Sequence, residues 1–277
     1  MQAKAIALLL ILLTAPAAAA GPPQRVVSVN LCTDQLLLML ADPRQVASVS
    51  YLSRERQSSF VAEQAAGYPL NHARTEEVIG HRPDLVLAAP YTNPRLLATL
   101  EKLGFVIEKL PLGYTLEGII KDIRRLAARL GQTQRGEVLI EQMHHRLQHN
   151  DAPTGLLSPK ALFYQPRGYT SGANTLQNEA LRLAGWRNPA AEQGVEGYVA
   201  VDLEQVILWQ PDTLFTSTYK DRSISLAERQ LEHPALKRLL AGIPMLEIPY
   251  KYWICPGPML VEAVALLRKA REERDAR

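Results

Sequence analysis

The residues of this chain with the most chemistry to offer are two cysteines, six histidines and ten tyrosines. Cys32 follows Arg25-Val26-Val27-Ser28-Val29, which predicts a strand, and precedes a helical pattern with Leu36, Leu37 and Leu40 on one face. Thr33 or Asp34 is the expected cap of that helix. A thiol there would sit at the positive end of the helix dipole, which lowers its pKa. A thiol enzyme also needs a base. None of His72, His81, His144, His145, His149 and His233 follows a predicted strand. His145 and His149 share a helix face, but no third metal ligand accompanies them. The chain has no Gly-x-Ser-x-Gly elbow, phosphate loop or His-Glu-x-x-His helix. No metal centre is expected, and a secreted thiol enzyme using Cys32 is the rival enzymatic reading.

The tyrosines are distributed unevenly. In parallel α/β sheets ligands bind beyond the carboxyl ends of the strands. Asn30, Leu31, Cys32 and Thr33 follow the first predicted strand, Tyr51 the second, Tyr91 the third and Tyr114 the fourth. Later in the chain Arg167 and Tyr169, then Tyr219, Lys220 and Arg222, then Tyr252 and Trp253 occupy the same kind of position. Tyrosine joins a large apolar face to a hydroxyl and few rotors, which suits a rigid cleft. Apart from Arg222, these residues form the candidate ligand-binding set. Each tyrosine taken alone reads equally well as a half-buried loop support. Cys255 follows Trp253 and would face the same cleft. Two readings of the cysteine pair stay open: a Cys32–Cys255 disulfide, closing a loop worth roughly 4–5 kcal/mol, or a reduced pair lining the pocket.

The elements that must position these residues alternate. Strands are expected at 25–29, 46–49, 84–88 and 105–107. Ile119, Ile120, Ile123, Leu126 and Leu130 then fit one amphipathic helix, ended by Gly131. Thr133 to His149 reads as a second helix, with Val138, Ile140, Met143 and Leu147 near helical spacing. Strands resume at 160–164, 212–216 and 245–248, and a closing helix runs from about Pro258 to about Glu273. Two strand-rich halves flank a helical connector, an α/β architecture with mostly parallel sheets.

The halves share a repeat. Residues 76–91, from Glu76 through Pro83-Asp84 to Tyr91, align without a gap on residues 204–219, from Glu204 through Pro211-Asp212 to Tyr219. Glu, Val, Ile, Pro, Asp and Tyr recur at matching places, which argues for two similar lobes.

Composition bounds the rest. Hydrophobic residues make up 47% and charged residues 21%, an ordinary globular balance. The formal charge of +3 gives no case for nucleic acid or an anionic membrane. Lys4, the apolar run Ala5–Leu13, Pro16 and Ala18-Ala19-Ala20 form the pattern of a cleavable signal over residues 1–20. The expected mature protein is periplasmic, with no membrane insertion.

The segment Tyr169-Thr170-Ser171-Gly172-Ala173-Asn174-Thr175-Leu176-Gln177-Asn178-Glu179-Ala180-Leu181-Arg182-Leu183-Ala184-Gly185-Trp186, with the Pro-Asp repeats and the long connector, resembles the class III periplasmic binding proteins of ABC importers, nearest to the vitamin B12-binding branch. The resemblance implies two Rossmann-like lobes joined by a single long helix: an N-terminal lobe at 21–131, the helix at 132–150 and a C-terminal lobe at 151–277. It implies a bulky metal chelate held between the lobes, a corrinoid or a ferric siderophore, with haem as the alternative. The protein itself would need no cofactor. It implies a monomer that docks on an ABC permease dimer through Glu76 and Glu204. The cysteine pair departs from the family pattern, and Arg167, Lys220 and Arg222 read equally well as partners of an anionic ligand or as ordinary exposed loop charges.

Overall fold

Strands β1 (Val26–Ser28) and β4 (Leu85–Ala88) are buried on both faces and, Ser28 apart, apolar. Such runs belong in the middle of a parallel sheet covered on both sides. In the computed structural model, which describes residues 21–148, 155, 157–217, 238 and 242–276, they do form that centre. With β2 (Val46–Ser50), β3 (Leu70–Asn71) and β5 (Ile107–Lys109) they make a five-stranded, all-parallel sheet ordered β3-β2-β1-β4-β5. Helices α1 (Leu31–Leu40), α2 (Ala62–Ala65), α3 (Thr75–Gly80) and α4 (Pro94–Lys102) occupy the connections. Strand order reverses between β1 and β4, so a crevice opens beyond their carboxyl ends.

Two long helices follow. Helix α5 (Leu116–Arg129) buries Ile119, Ile123 and Leu126. Gly131, at φ 70, turns the chain into α6 (Thr133–Gln148). The buried stripe of α6 is Gly136, Ile140, Met143 and Leu147. Val138, expected on that face, is exposed, and Gly136 takes its place. A Cβ at Gly136 would stand 2.6 Å from the Ala127 methyl, so α5 and α6 pack too closely there for any side chain.

The second half carries a three-stranded parallel sheet ordered β10-β9-β6, made of β6 (Ala161–Phe163), β9 (Thr213–Thr216) and β10 (Met245–Glu247). An antiparallel pair, β7 (Tyr169–Ser171) and β8 (Tyr198–Ala200), stands beside it. Helices α7 (Leu176–Leu183), α8 (Pro189–Glu192), α9 (Leu203–Trp209) and α10 (Leu260–Asp275) complete the described elements. One apolar cluster runs through both halves, from Leu37 and Ile123 past Met143 to Phe163, Trp186 and Leu267. Each half adds a smaller cluster of its own. The architecture is α/β with two lobes, as expected. Among the described residues no helix is long and apolar enough to cross a membrane.

The sequence repeat has a physical basis. Asp84 accepts the backbone amide of Arg25, the residue before β1, at 2.9 Å. Asp212 accepts the amide of Lys160, the residue before β6, at 2.8 Å. The amides of Asp84 and Asp212 donate back to the carbonyls of Arg25 and Lys160. Arg82 and Gln210, each just before the proline, hold the left-handed conformation at φ 47 and 49. The same strained turn has been built twice.

Candidate ligand-binding cleft

The helix that follows β1 starts earlier than Thr33. Asn30 is its N-cap, and the Asn30 side chain accepts the Cys32 amide at 2.9 Å. Thr33 and Asp34 therefore fall inside the first turn, and both are buried. The Thr33 hydroxyl is engaged with Ser28 at 2.7 Å and with the Asn30 carbonyl at 3.0 Å. Leu31 belongs to the core. Cys32 and Cys255 form a disulfide across 223 residues of sequence, joining the first turn of α1 to the segment before α10. The open choice about the pair is settled: Cys32 is no free thiol. The Tyr91 hydroxyl donates to Cys32 Sγ at 3.0 Å, with Asn30 Oδ1 at 3.5 Å.

Tyr91 stands on the wall of a cleft of about 410 Å³ between the two halves. Leu112 and Tyr114 reach it from the first half. Leu112 holds the left-handed region at φ 58, an uncommon conformation for a branched residue and one that gathers at functional sites. From the second half come β7 and β8. Their register sets Tyr169 opposite Ala200 and Ser171 opposite Tyr198, so both tyrosines and Ser171 share one face. Gln165, Gln177 and Tyr250 add polar atoms, and Ile254 and Pro256, beside the disulfide, add apolar ones.

Trp253 also borders the cleft, although it is almost wholly buried. Its indole lies edge-on to Phe163 at 4.1 Å and donates to Ser217 Oγ at 2.9 Å. It is a wall fixed by the core.

Among the described lining residues no side chain carries a charge. The cleft is lined by aromatic faces, hydroxyls and amides. Burial of its hydroxyl, and then the nearness of Tyr114, pushes Tyr91 up to about 12. The same causes in the same order push Tyr198 up to about 12. Both phenols stay protonated at any physiological pH and serve as donors. The Tyr198 hydroxyl donates to Gln177 Oε1 at 2.6 Å.

Of the sequence-predicted residues, the structure brings Tyr91, Tyr114, Tyr169 and Trp253 to the cleft wall, with Asn30 and Cys32 directly behind Tyr91. Five others lie elsewhere. Tyr51 stacks on His72 with ring centroids 4.9 Å apart. Tyr252 packs edge-on against Phe60. Arg167 is exposed at φ 64, in the turn between β6 and β7, and does not line the cleft. Leu31 and Thr33 are buried under it. Tyr219, Lys220 and Arg222 lie outside the described residues.

Tyr198 and Gln177 carry much of the geometry, and the strand-end rule misses them because Tyr198 opens the three-residue strand β8 and Gln177 lies in the first turn of α7. The usable signal was Ser171-Gly172. A Cβ on Gly172 would lie 2.1 Å from the Val195 carbonyl, so only glycine lets these chains meet. Glu76 and Glu204 are exposed, each the second residue of its helix, α3 and α9.

A two-lobed α/β protein with an aromatic cleft between its halves, uncharged among the described lining residues, is suited to hold a ligand. The comparisons agree. Residues 26–243 match the model of a periplasmic binding protein family, and the chain belongs to that family, whose members act as substrate-binding components of importers. The chain is 24% identical over 259 residues to a cobalamin-binding protein of Halobacterium salinarum, covering 90% of this chain and 69% of that protein. It is 28% identical over 222 residues to a vitamin B12-binding protein of Vibrio campbellii, covering 78% and 79%. Among solved structures, the periplasmic heme-binding protein RhuT from Roseiflexus sp. RS-1 superposes with a TM-score of 0.74 at 24% identity, covering 90% of this chain and 98% of that one. The periplasmic vitamin B12-binding protein BtuF of Vibrio cholerae gives 0.69 at 22% identity, covering 92% and 99%. These structures share the fold.

Proposed function

We propose that this protein captures a corrinoid in the cleft between its lobes and delivers it to an ABC permease dimer. The observation that carries the reading is the lining: five tyrosines, Trp253 and neutral amides and hydroxyls, with no charged side chain among the described wall residues. Such a wall grips a large ligand through flat apolar contact and neutral hydrogen bonds. A triply anionic ferric siderophore would call for cationic partners. The relatives named for cobalamin and vitamin B12 support the same choice.

Haem is the second reading, favoured by the tyrosines, since a phenolate can ligate haem iron. Tyr91 and Tyr198, both raised to about 12, are poor phenolates. A calorimetric screen of the mature protein against cyanocobalamin, cobinamide, ferric haem and ferric siderophores tests the choice. Micromolar or tighter binding of the two corrinoids is expected. Binding of haem alone, with a charge-transfer band lost in Tyr114→Phe or Tyr169→Phe, would overturn it.

The delivery step rests on Glu76 and Glu204. Both are exposed, and each is the second residue of its helix in the repeated unit. Their pseudo-equivalence suits a partner with two-fold symmetry. In this reading residues 1–20 are a signal removed on export to the periplasm, and the mature chain is a monomer with lobes at 21–131 and 151–277 joined by 132–150. The protein does no chemistry on its cargo.

A further inference from the structure

The first turn of α7 makes side-chain hydrogen bonds to both sides of the cleft. Gln177 fixes Tyr198 of the second half, as described. Two residues on, the Glu179 carboxylate crosses to the first half, where its Oε1 accepts the backbone amide of Leu116 at 2.9 Å. Leu116 opens α5, and its amide is one of the donors that a helix start leaves without an internal partner. A carboxylate there meets both that donor and the positive end of the helix dipole.

Tyr114 stands just before this point, between two clamped neighbours. The Gly113 amide donates to Asp122 Oδ2 at 2.9 Å. Thr115 caps α5 by accepting the Gly118 amide at 3.1 Å. The loop is tight, because a Cβ on Gly113 would lie 2.7 Å from the Gly118 Cα. Of the contacts that fix the 113–116 backbone, the one from Glu179 comes from the opposite half.

Glu179 is suited to the task. It is buried, and Arg182 grips both its oxygens at 2.8 and 3.0 Å. Burial alone would raise its pKa, but the Arg182 guanidinium and the Leu116 amide together hold it below the usual carboxylate range. A charged, doubly held carboxylate makes a stiffer link than a neutral contact.

We infer that Glu179 is a positioning residue for ligand capture: from the second half it fixes the start of α5, and thereby sets where Tyr114 stands across the cleft from Tyr198. The inference rests on the cleft being the ligand site, and it names a residue that acts through Tyr114 without lining the cleft itself. The plainer alternative is a helix-start glutamate paired with Arg182 that contributes to folding alone.

The test uses the full mature chain, with cyanocobalamin as the probe. Glu179→Ala should weaken binding about tenfold, the scale of one charge-assisted hydrogen bond. Glu179→Gln keeps an acceptor for the Leu116 amide and should lose less. In a Tyr114→Ala background, Glu179→Ala should cost no further affinity, while the drop in melting temperature stays the same in both backgrounds. An equal affinity loss with and without Tyr114 would overturn the inference. Hydrogen exchange in the ligand-free protein gives an independent reading. The Leu116 amide should exchange at least about tenfold faster in Glu179→Ala than in wild type. Unchanged exchange would sink the inference, whatever the ligand turns out to be. Failure of the wild-type protein to bind any corrinoid would instead count against the ligand reading, and the exchange result would still show whether Glu179 fixes the start of α5.

Discussion

Asp34 lies fully buried in the first turn of α1, where its carboxylate accepts the Ser50 amide at 3.0 Å and the Ser50 hydroxyl. Burial pushes it up to about 7, against the pull of the hydrogen bonds from Ser28 and Ser50. The sign follows from linkage. The folded protein binds this proton more tightly than the unfolded chain. The stabilisation is complete below the ordinary aspartate range and is lost as pH rises towards 7. Between pH 5 and pH 8 the wild type should therefore lose about 2–3 kcal/mol relative to Asp34→Asn, read from urea melts of both proteins across that range. A constant difference between them would show that Asp34 does not titrate there. The disulfide makes a second residue-scale prediction. Cys32→Ser with Cys255→Ser should lower stability by about 2–5 kcal/mol, measured by denaturation without reductant.

The β7–β8 pair is the element on which the second wall of the cleft depends. Its chains approach so closely at Gly172 that the Val195 carbonyl fills the space of a side chain. Gly172→Ala should cost about 1–3 kcal/mol in thermal unfolding. It should also weaken cyanocobalamin binding by about tenfold, as Tyr169 and Tyr198 are displaced together. Retained affinity in a stably folded variant would mean that this wall is not the ligand's. Legibility in the sequence divided along the same line. Long or sealed elements announced themselves: β1 and β4 as mostly apolar runs, α5 as an amphipathic stripe. Short ones did not. Strand β3 is two residues, and β7 and β8 are three each, too few to show a period. The cap of α1 was misplaced because Thr33 and Asp34 are good capping residues by type, whereas Asn30, three positions earlier, has the extended backbone that a cap needs. Val138 was placed on the buried face of α6 because an apolar residue was expected where close helix packing had in fact selected Gly136.

At the scale of the whole molecule the repeat was the most informative signal. It foretold two lobes, and the structure adds the matching pair of left-handed residues, Arg82 and Gln210, which no residue type revealed. The cleft was legible only in part. Taking every residue after a strand found Tyr91, Tyr114 and Tyr169, but also took in Tyr51 and Tyr252, whose rings turn to His72 and Phe60. Position along the chain says where a loop emerges and not which way its side chain leans. The paired glutamates make the prediction that belongs to this scale. Reversing Glu76 and Glu204 to lysine together should reduce importer-dependent uptake at least about a hundredfold, with cyanocobalamin affinity unchanged. Either charge reversed alone should leave intermediate uptake. Full uptake by the double variant would remove the docking role.

The covalent tie between the halves carries a consequence for how the chain matures. With only two cysteines, a single intramolecular pairing exists, so no wrong internal isomer can form and nothing needs reshuffling. Cys255 is also late in the chain, so Cys32 must wait, unpaired, for most of the polypeptide to emerge. Its one erroneous partner in that interval is a cysteine of another molecule. Misoxidation should therefore appear as covalent dimers whose yield climbs with the concentration of refolding chains, and dilution alone should suppress it.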